Sequence, residues 1–261
     1  PYDLKLKNYK HMKNILFLTI VAIGINCQAQ IVTDTYQDGS KNVSFVRHDV
    51  DTFDGATDVW VVDIDNDGFN DIIGTSYNNG ICWWKNDGNQ NFSKNQIAEA
   101  IPAGSSRSLR VTMHDGSNLD FNNDGFVDMV SAMGNTNEIV YWLNDGLGNF
   151  TPTSIDNTSK GAHTIDVIDL DKDGDIDILA SAFGTETENG EFAIYYNDGN
   201  QSFTKEILHS LPTTGGTFIH SGDVDADNNN DILFTERHWQ NPSDLGIYRQ
   251  TETGWEKIVI D

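Results

Sequence analysis

The sequence predicts an all-β fold, a β-propeller of four-stranded blades. Three observations lead to this prediction: an acidic motif occurs four times, each copy is flanked by short apolar runs with strand character, and a turn-forming motif follows each copy. Four short strands with their turns take about 50 residues, the size of one propeller blade. The 261 residues are 38% hydrophobic and 10% aromatic, enough to build a packed core.

The acidic motif has the form DxDxDGxxD. Its copies begin at residues 63, 120, 169 and 223, so their spacings are 57, 49 and 54 residues. They read DIDNDGFND, DFNNDGFVD, DLDKDGDID and DVDADNNND, and strand-like runs such as DIIGTSY and DILASAF follow. The repeat divides residues 30–261 into blades at about 52–101, 102–157, 158–211 and 212–261.

The turn-forming motif is Asn-Asp-Gly between two strand-like runs, as in ICWWKNDGNQNF and IVYWLNDGLGNF. Asn and Gly tolerate positive φ, so this tripeptide favours a hairpin. The fourth copy, LGIYRQTETGW, has lost it. Aromatic residues recur beside the turn, and we interpret them as core between neighbouring blades; they are Trp84, Trp142, Tyr195 and Tyr248, followed by Phe92, Phe150, Phe203 and Trp255.

The start of the chain has the pattern of an export signal. Residues 12–29 carry basic Lys13, an eleven-residue apolar run and a small-residue cleavage site ending at Ala29, and residues 1–11 are interpreted as upstream or disordered sequence. The apolar run is too short to anchor the protein across a bilayer, which takes about 20 residues. We expect a secreted or extracellular protein, or one in the periplasm or at the cell surface; acylation of Cys27, as in a lipoprotein, is the alternative.

Charge and cysteine content narrow the possible partners. Without residues 1–29 the chain holds 12 basic and 39 acidic residues, a net charge of −27. Such a surface repels nucleic acid and anionic membranes. Only Cys82 remains, so no internal disulfide can form, and the stability must come from packing, from bound metal or from both.

Alternating aspartates in a tight loop direct several carboxylates at one centre, which suits a hard divalent cation. The loops lack Cys and His, which argues against zinc, copper and iron, and calcium is preferred to magnesium because its geometry is less strict. We expect about four calcium ions. Position seven of each loop is expected to use its main-chain carbonyl, and the predicted ligands are Asp63, Asp65, Asp67, Phe69 and Asp71; Asp120, Asn122, Asp124, Phe126 and Asp128; Asp169, Asp171, Asp173, Asp175 and Asp177; and Asp223, Asp225, Asp227, Asn229 and Asp231.

Two details of the loop sequences predict a turn conformation and a difference in calcium affinity. Gly68 and its equivalents allow a sharp turn, and Asn228 replaces that glycine in the fourth loop, where Asn is the next-best residue for the left-handed conformation. Asn122 replaces one carboxylate, so the second site should bind more weakly.

An EF-hand is rejected because position twelve is not acidic; it is Gly74, Ser131, Ala180 and Phe234. Simple acidic hairpins remain the alternative.

The acidic motif, a strand and then the WYxNDGxGxF-like block together resemble the FG-GAP/VCBS-type repeats of bacterial secreted proteins, akin to the calcium-binding blades of integrin α-subunits. The resemblance covers about residues 42–261. It implies a propeller, commonly seven-bladed, with calcium between the first two strands of each blade. Four repeats would then be a partial ring whose open edges permit self-association, although a small closed ring is possible. The segment from Lys41 is expected to be an outer blade strand.

Two functions remain open. No nucleophile elbow, HExxH, P-loop or dinucleotide motif is found, which favours a non-enzymatic binding or adhesion module for a glycan or an extracellular protein. The alternative is a carbohydrate-active enzyme of lyase or dehydratase type that uses His and Arg in the propeller channel. Its candidate residues are His163, His220, Arg107 and Arg110, and the insertion MHDGSNLD is a further candidate region.

Overall fold

The computed structural model describes residues 35–37, 42–44, 47–99, 109–112, 119–185, 187–211, 214–238 and 244–260. Regular structure in these ranges is entirely β-strand, so they contain no helix long and apolar enough to cross a membrane. The predicted signal at 12–29 lies outside the described residues, as do Arg107, His114 and most of the MHDGSNLD insertion.

Two short strands precede the repeats. β1 (Thr35–Gln37) and β2 (Asn42–Ser44) form an antiparallel pair. The prediction that the segment from Lys41 is an outer blade strand is therefore wrong for residues 42–44, because their hydrogen bonds go to β1 rather than to a blade.

The remaining strands form four antiparallel sheets of four strands, each in chain order, which we call units 1 to 4. The all-β, four-stranded repeat predicted from the sequence is thus confirmed. Unit 1 contains β3 (Ala56–Val62), β4 (Asp71–Ser76), β5 (Gly80–Asn86) and β6 (Phe92–Ala98), and unit 2 contains β7 (Leu109–Thr112), β8 (Met129–Met133), β9 (Glu138–Asn144) and β10 (Phe150–Asp156). Unit 3 contains β11 (Ala162–Ile168), β12 (Asp177–Ala182), β13 (Gly190–Asn197) and β14 (Phe203–Leu211), and unit 4 contains β15 (Thr214–Gly222), β16 (Asp231–His238), β17 (Leu245–Thr251) and β18 (Gly254–Ile260).

The acidic motifs join the first and second strands of each unit. In unit 1 the last residue of β3, Val62, pairs with Asp71, the ninth loop residue and the first of β4. The same register joins Ile168 to Asp177 in unit 3. In these units the strand pair holds both ends of the loop, so its shape is fixed by the sheet.

Adjacent units pack face to face around two apolar clusters. The larger cluster extends from Ile64 in unit 1 through Trp142 in unit 2 to Tyr195 in unit 3. The smaller one joins units 3 and 4, where the rings of Phe192 and Phe234 have centroids 5.3 Å apart. The first strands of successive units also lie against one another, as the inner strands of a propeller do.

Trp84 differs from its equivalents in units 2 to 4, which belong to the two apolar clusters. It is 5% exposed, but the ring that covers it belongs to Phe53, which precedes β3, with centroids 4.8 Å apart, and its indole N–H donates to Asp51 at 3.1 Å. The interpretation of this position as core between blades is therefore wrong for unit 1. The neighbouring Trp83 fills the interface with unit 2, where a Cβ on Gly148 would lie 2.0 Å from it.

The ring is not closed. Among the described strands, none of unit 1 pairs with one of unit 4. The face of unit 4 that points away from unit 3 carries half-exposed apolar side chains. Leu245 and Ile260, which pair with each other across β17 and β18, are 47% and 46% exposed on it. In unit 3 the corresponding face is buried against unit 4, whereas no described strand covers this face of unit 4.

Candidate metal centres

The backbone of the four acidic loops follows one path, in which positions four and six have positive φ. In the first loop these are Asn66 at 56° and Gly68 at 90°. Asn228, in the glycine position of the fourth loop, has a φ of 68°, as predicted for the left-handed conformation. A Cβ on Gly68 would meet no atom within 4 Å, so the glycine is required by its conformation and not by lack of space.

The first aspartate of each loop organises this path. Asp63 accepts hydrogen bonds from the N–H groups of Asp67 and Gly68, at 3.1 and 2.8 Å. Asp223 does the same in the fourth loop, where the N–H of Asn228 lies 3.0 Å away. These bonds close the loop backbone around the first carboxylate.

The ninth aspartate is buried and connects the loop to the third strand. Asp128 is fully buried, and its two oxygens accept the N–H groups of Phe121 and Asn144, both at 2.8 Å. Asp71 and Asp177 are also fully buried, and Asp231 is 2% exposed. Each of the three accepts the two backbone N–H groups that are equivalent in its own unit. The sequence predicted this residue only as a ligand, whereas it is also a structural clamp.

Burial dominates the electrostatics of these clamp carboxylates. It raises the pKa of Asp128 to about 7 and that of Asp177 to about 6, outweighing the backbone N–H groups that lower it. The pKa of Asp71 is raised for the same reason. Neighbouring loop carboxylates add to the rise in the pKa of all three. A cation bound among the carboxylates would favour their charged form and so counteract this rise in pKa.

In three loops the carboxylates at positions one, three and nine converge, with one oxygen of each lying within 4.8 Å of the others. The fifth-position aspartates are not part of these groups. Asp67 lies outside and accepts the N–H of Phe69 at 3.0 Å. The converging groups are Asp63, Asp65 and Asp71; Asp169, Asp171 and Asp177; and Asp223, Asp225 and Asp231.

The second loop lacks such a group because Asn122 stands at position three. The Asn122 side chain bonds within the loop, accepting the N–H of Asp124 at 3.1 Å and donating to its carboxylate at 2.8 Å. Asp120 and Asp128 keep the backbone contacts of their equivalents. The second loop therefore has the same fold with one carboxylate fewer.

The residues present fit a hard cation. Asp65 Oδ1 and Asp169 Oδ1 are buried and have no hydrogen-bond partner, so each keeps an oxygen free for a metal. All converging donors are carboxylates, the ligand type that calcium prefers. The main-chain carbonyls of Phe69, Phe126, Asp175 and Asn229 stay predicted ligands.

The Asn-Asp-Gly turn supports the loops in a way the sequence pattern did not indicate. Asn144 donates to Val127 O at 3.1 Å in its own loop and to Ile64 O at 2.7 Å in the loop of unit 1. A Cβ on Gly146, the glycine of that turn, would lie 2.3 Å from the ring of Phe126. The turn thus packs on its own loop and joins it to the preceding unit.

The candidate catalytic histidines lie apart from the acidic loops. His163 and His220 are on the first strands of units 3 and 4, as predicted. His163 Nδ1 lies 2.6 Å from Thr217 O, and His220 Nδ1 lies 2.9 Å from Asp166 Oδ2. Arg110 is on β7, the corresponding strand of unit 2.

Together these features define a class of protein: repeated propeller blades with an acidic loop between the first two strands of each. Residues 120–180 match the family described as an FG-GAP-like repeat, which confirms the predicted resemblance over this stretch. A solved structure titled for the specific recognition of non-reducing terminal N-acetylglucosamine by an Agrocybe aegerita lectin is similar to the chain at 18% identity and a TM-score of 0.47. That similarity covers 76% of this chain and 50% of the lectin chain, so the chain spans about half of the lectin's length. No curated protein matches the sequence.

Proposed function

We propose that this chain is a secreted, calcium-stabilised β-propeller that acts as a non-enzymatic binding or adhesion module for a glycan or an extracellular protein. The observation that carries the calcium part is the convergence of three carboxylates at the same place in units 1, 3 and 4. The two buried carboxylate oxygens without partners support it. A cation in each loop would offset the repulsion between the aspartates and hold the first two strands together.

Thermal unfolding with calcium and with chelator tests the calcium part. One site with free calcium a hundredfold above its Kd adds about 2.7 kcal/mol to folding, so several sites should raise the midpoint by many degrees. The double variant Asp169→Asn, Asp171→Asn should lose part of this gain. Glu252→Gln, in the exposed turn between β17 and β18, should keep it. An equal midpoint in calcium and chelator would refute the calcium part.

The binding part rests on the FG-GAP-like match and on the lack of a catalytic motif in the sequence. A glycan array together with extracellular protein ligands would identify the partner. Calcium-dependent retention of one ligand class, without chemical change, is the expected result.

One contact supports the enzymatic alternative. His220 is 74% exposed and its ring bonds Asp166, which also accepts the hydroxyl of Ser221 at 2.8 Å. An oriented, exposed imidazole can serve as a general base. Turnover of a bound sugar that is abolished by His220→Ala would favour the enzyme over the binding module.

A further inference from the structure

Near the end of the third strand, one position differs in charge among the four units. It is the residue just before the turn asparagine, or before the residue equivalent to that asparagine in unit 4. It is positively charged in units 1 and 4 and uncharged in units 2 and 3. The position lies beside the acidic loop because the next backbone N–H donates to the buried clamp carboxylate, as Asn86 does to Asp71 at 2.7 Å. The four residues are Lys85, Leu143, Tyr196 and Arg249.

Both cations reach the carboxylates proposed to bind calcium. The Lys85 ammonium group pairs with Asp65 Oδ2 and lies 3.0 Å from Asp67 Oδ2. Arg249 Nε lies 3.2 Å from Asp225 Oδ2, the same loop position in unit 4. In each case the cation occupies an oxygen of the third loop residue, which belongs to the converging group.

Units 2 and 3 use the same position for packing. Leu143 lies against the larger apolar cluster and Tyr196 against the smaller one. The cation within the third loop, Lys172, extends to unit 4, where it donates to Asn228 O at 2.7 Å and Asn229 Oδ1 at 2.9 Å. Within the described ranges, no ion pair joins a cation to the aspartates of the third loop.

The loops therefore differ in charge. Loop 3 holds five aspartates and Lys172, a formal charge of −4. Loops 1 and 4 hold four each, and the paired cation brings them to −3. Loop 2, with three aspartates, is also at −3. Calcium affinity rises with the number of charged ligands, and a cation paired with a ligand oxygen must leave before a metal can bind there.

We infer that Lys85 and Arg249 are tethered counter-ions that compete with calcium, so that the sites fill in order with site 3 first. This inference rests on the proposed function. In the absence of metal, the two cations stabilise loops 1 and 4, which makes the fold of these units less dependent on calcium than that of unit 3. The identity of one side chain beside each loop thus sets the calcium response of that blade.

Calcium titration followed by ¹⁵N-edited NMR on the full chain tests the inference. The sixth loop residue offers one backbone amide per site, namely Gly68, Gly125, Gly174 and Asn228, so each site is observed separately. In the unsubstituted protein the Gly174 amide should reach its midpoint at the lowest calcium concentration. Lys85→Met should lower the Gly68 midpoint about tenfold, the effect of removing one screened charge, and should leave Gly174 unchanged.

Two further variants make the test specific. Arg249→Met should shift only Asn228, and it keeps the test valid if Lys85→Met fails to fold. Lys160→Met removes one positive charge at an exposed pair with Glu188, away from the loops, and should shift no midpoint. If the loop amides respond to calcium and both Met variants leave their midpoints unchanged, the counter-ion role is refuted while the calcium sites stand. If no loop amide responds to calcium, the proposed function itself fails.

Discussion

Replacing Asp128 by Asn separates the clamp role of the ninth loop residue from its proposed ligand role. The two Asp128 oxygens accept two backbone N–H groups at 2.8 Å in a fully buried position. An isosteric amide keeps one acceptor and places an NH₂ group against the other donor. One buried N–H then loses its partner, which costs about 1–3 kcal/mol. The penalty of burying a carboxylate disappears at the same time and offsets part of this cost, so we expect a net loss of about 1 kcal/mol in unfolding free energy.

The assay is urea and thermal unfolding in chelator, where calcium contributes nothing. A loss of about 1 kcal/mol corresponds to a midpoint lower by roughly 2–4 °C for a chain of this size. The control is Asp124→Asn in the same loop. Asp124 is exposed, and the amide oxygen can still accept the N–H of Phe126, so its loss should be small. Equal stability of Asp128→Asn and the unsubstituted protein in chelator would refute the clamp role.

Further predictions concern the interface, the loop backbone and the open blade face. Burial raises the pKa of the Asp156 carboxyl, but hydrogen bonds from Lys205 and other groups outweigh burial and lower this pKa to about 2. The stabilisation that these bonds supply is therefore present above about pH 4 and is lost toward about pH 2. Asp156→Asn should reduce the unfolding free energy by roughly 2–3 kcal/mol at about pH 7, and its stability should depend less on pH in acid. Gly68→Ala should destabilise by about 1 kcal/mol in denaturant titrations and Gly68→Asn by less, since Asn228 adopts that conformation naturally; equal losses would contradict this. The chain should self-associate in sedimentation velocity, and Leu245→Lys should reduce the larger species; an unchanged distribution would exclude this face.

Local residue chemistry was sufficient to predict the repeat, the strand order and the path of the acidic loops. These features depend on contacts within about 50 residues: the DxDxDGxxD loop bends wherever glycine or asparagine adopts positive φ, as at Gly68 and Asn228. The turn motif selects its hairpin in the same local way. The composition of the loops also predicted an oxygen-rich cation site, because the ligand types are visible in the sequence.

Contacts between distant residues could not be predicted from the pattern. The sequence did not indicate that Phe53 covers Trp84, that Asn144 bonds Ile64 O in the preceding unit, or that Lys85 reaches Asp65. Each of these contacts depends on which side chains the packed sheets bring together.

The sequence by itself determined the all-β repeat and the acidic loops, because turn chemistry and strand alternation act between near neighbours in the chain. Only the tertiary structure decided which carboxylates converge, which are buried as clamps and which are already paired with a cation. The physical reason is that burial and charge pairing depend on distances across the sheet and between units, and the order of residues along the chain does not encode those distances directly.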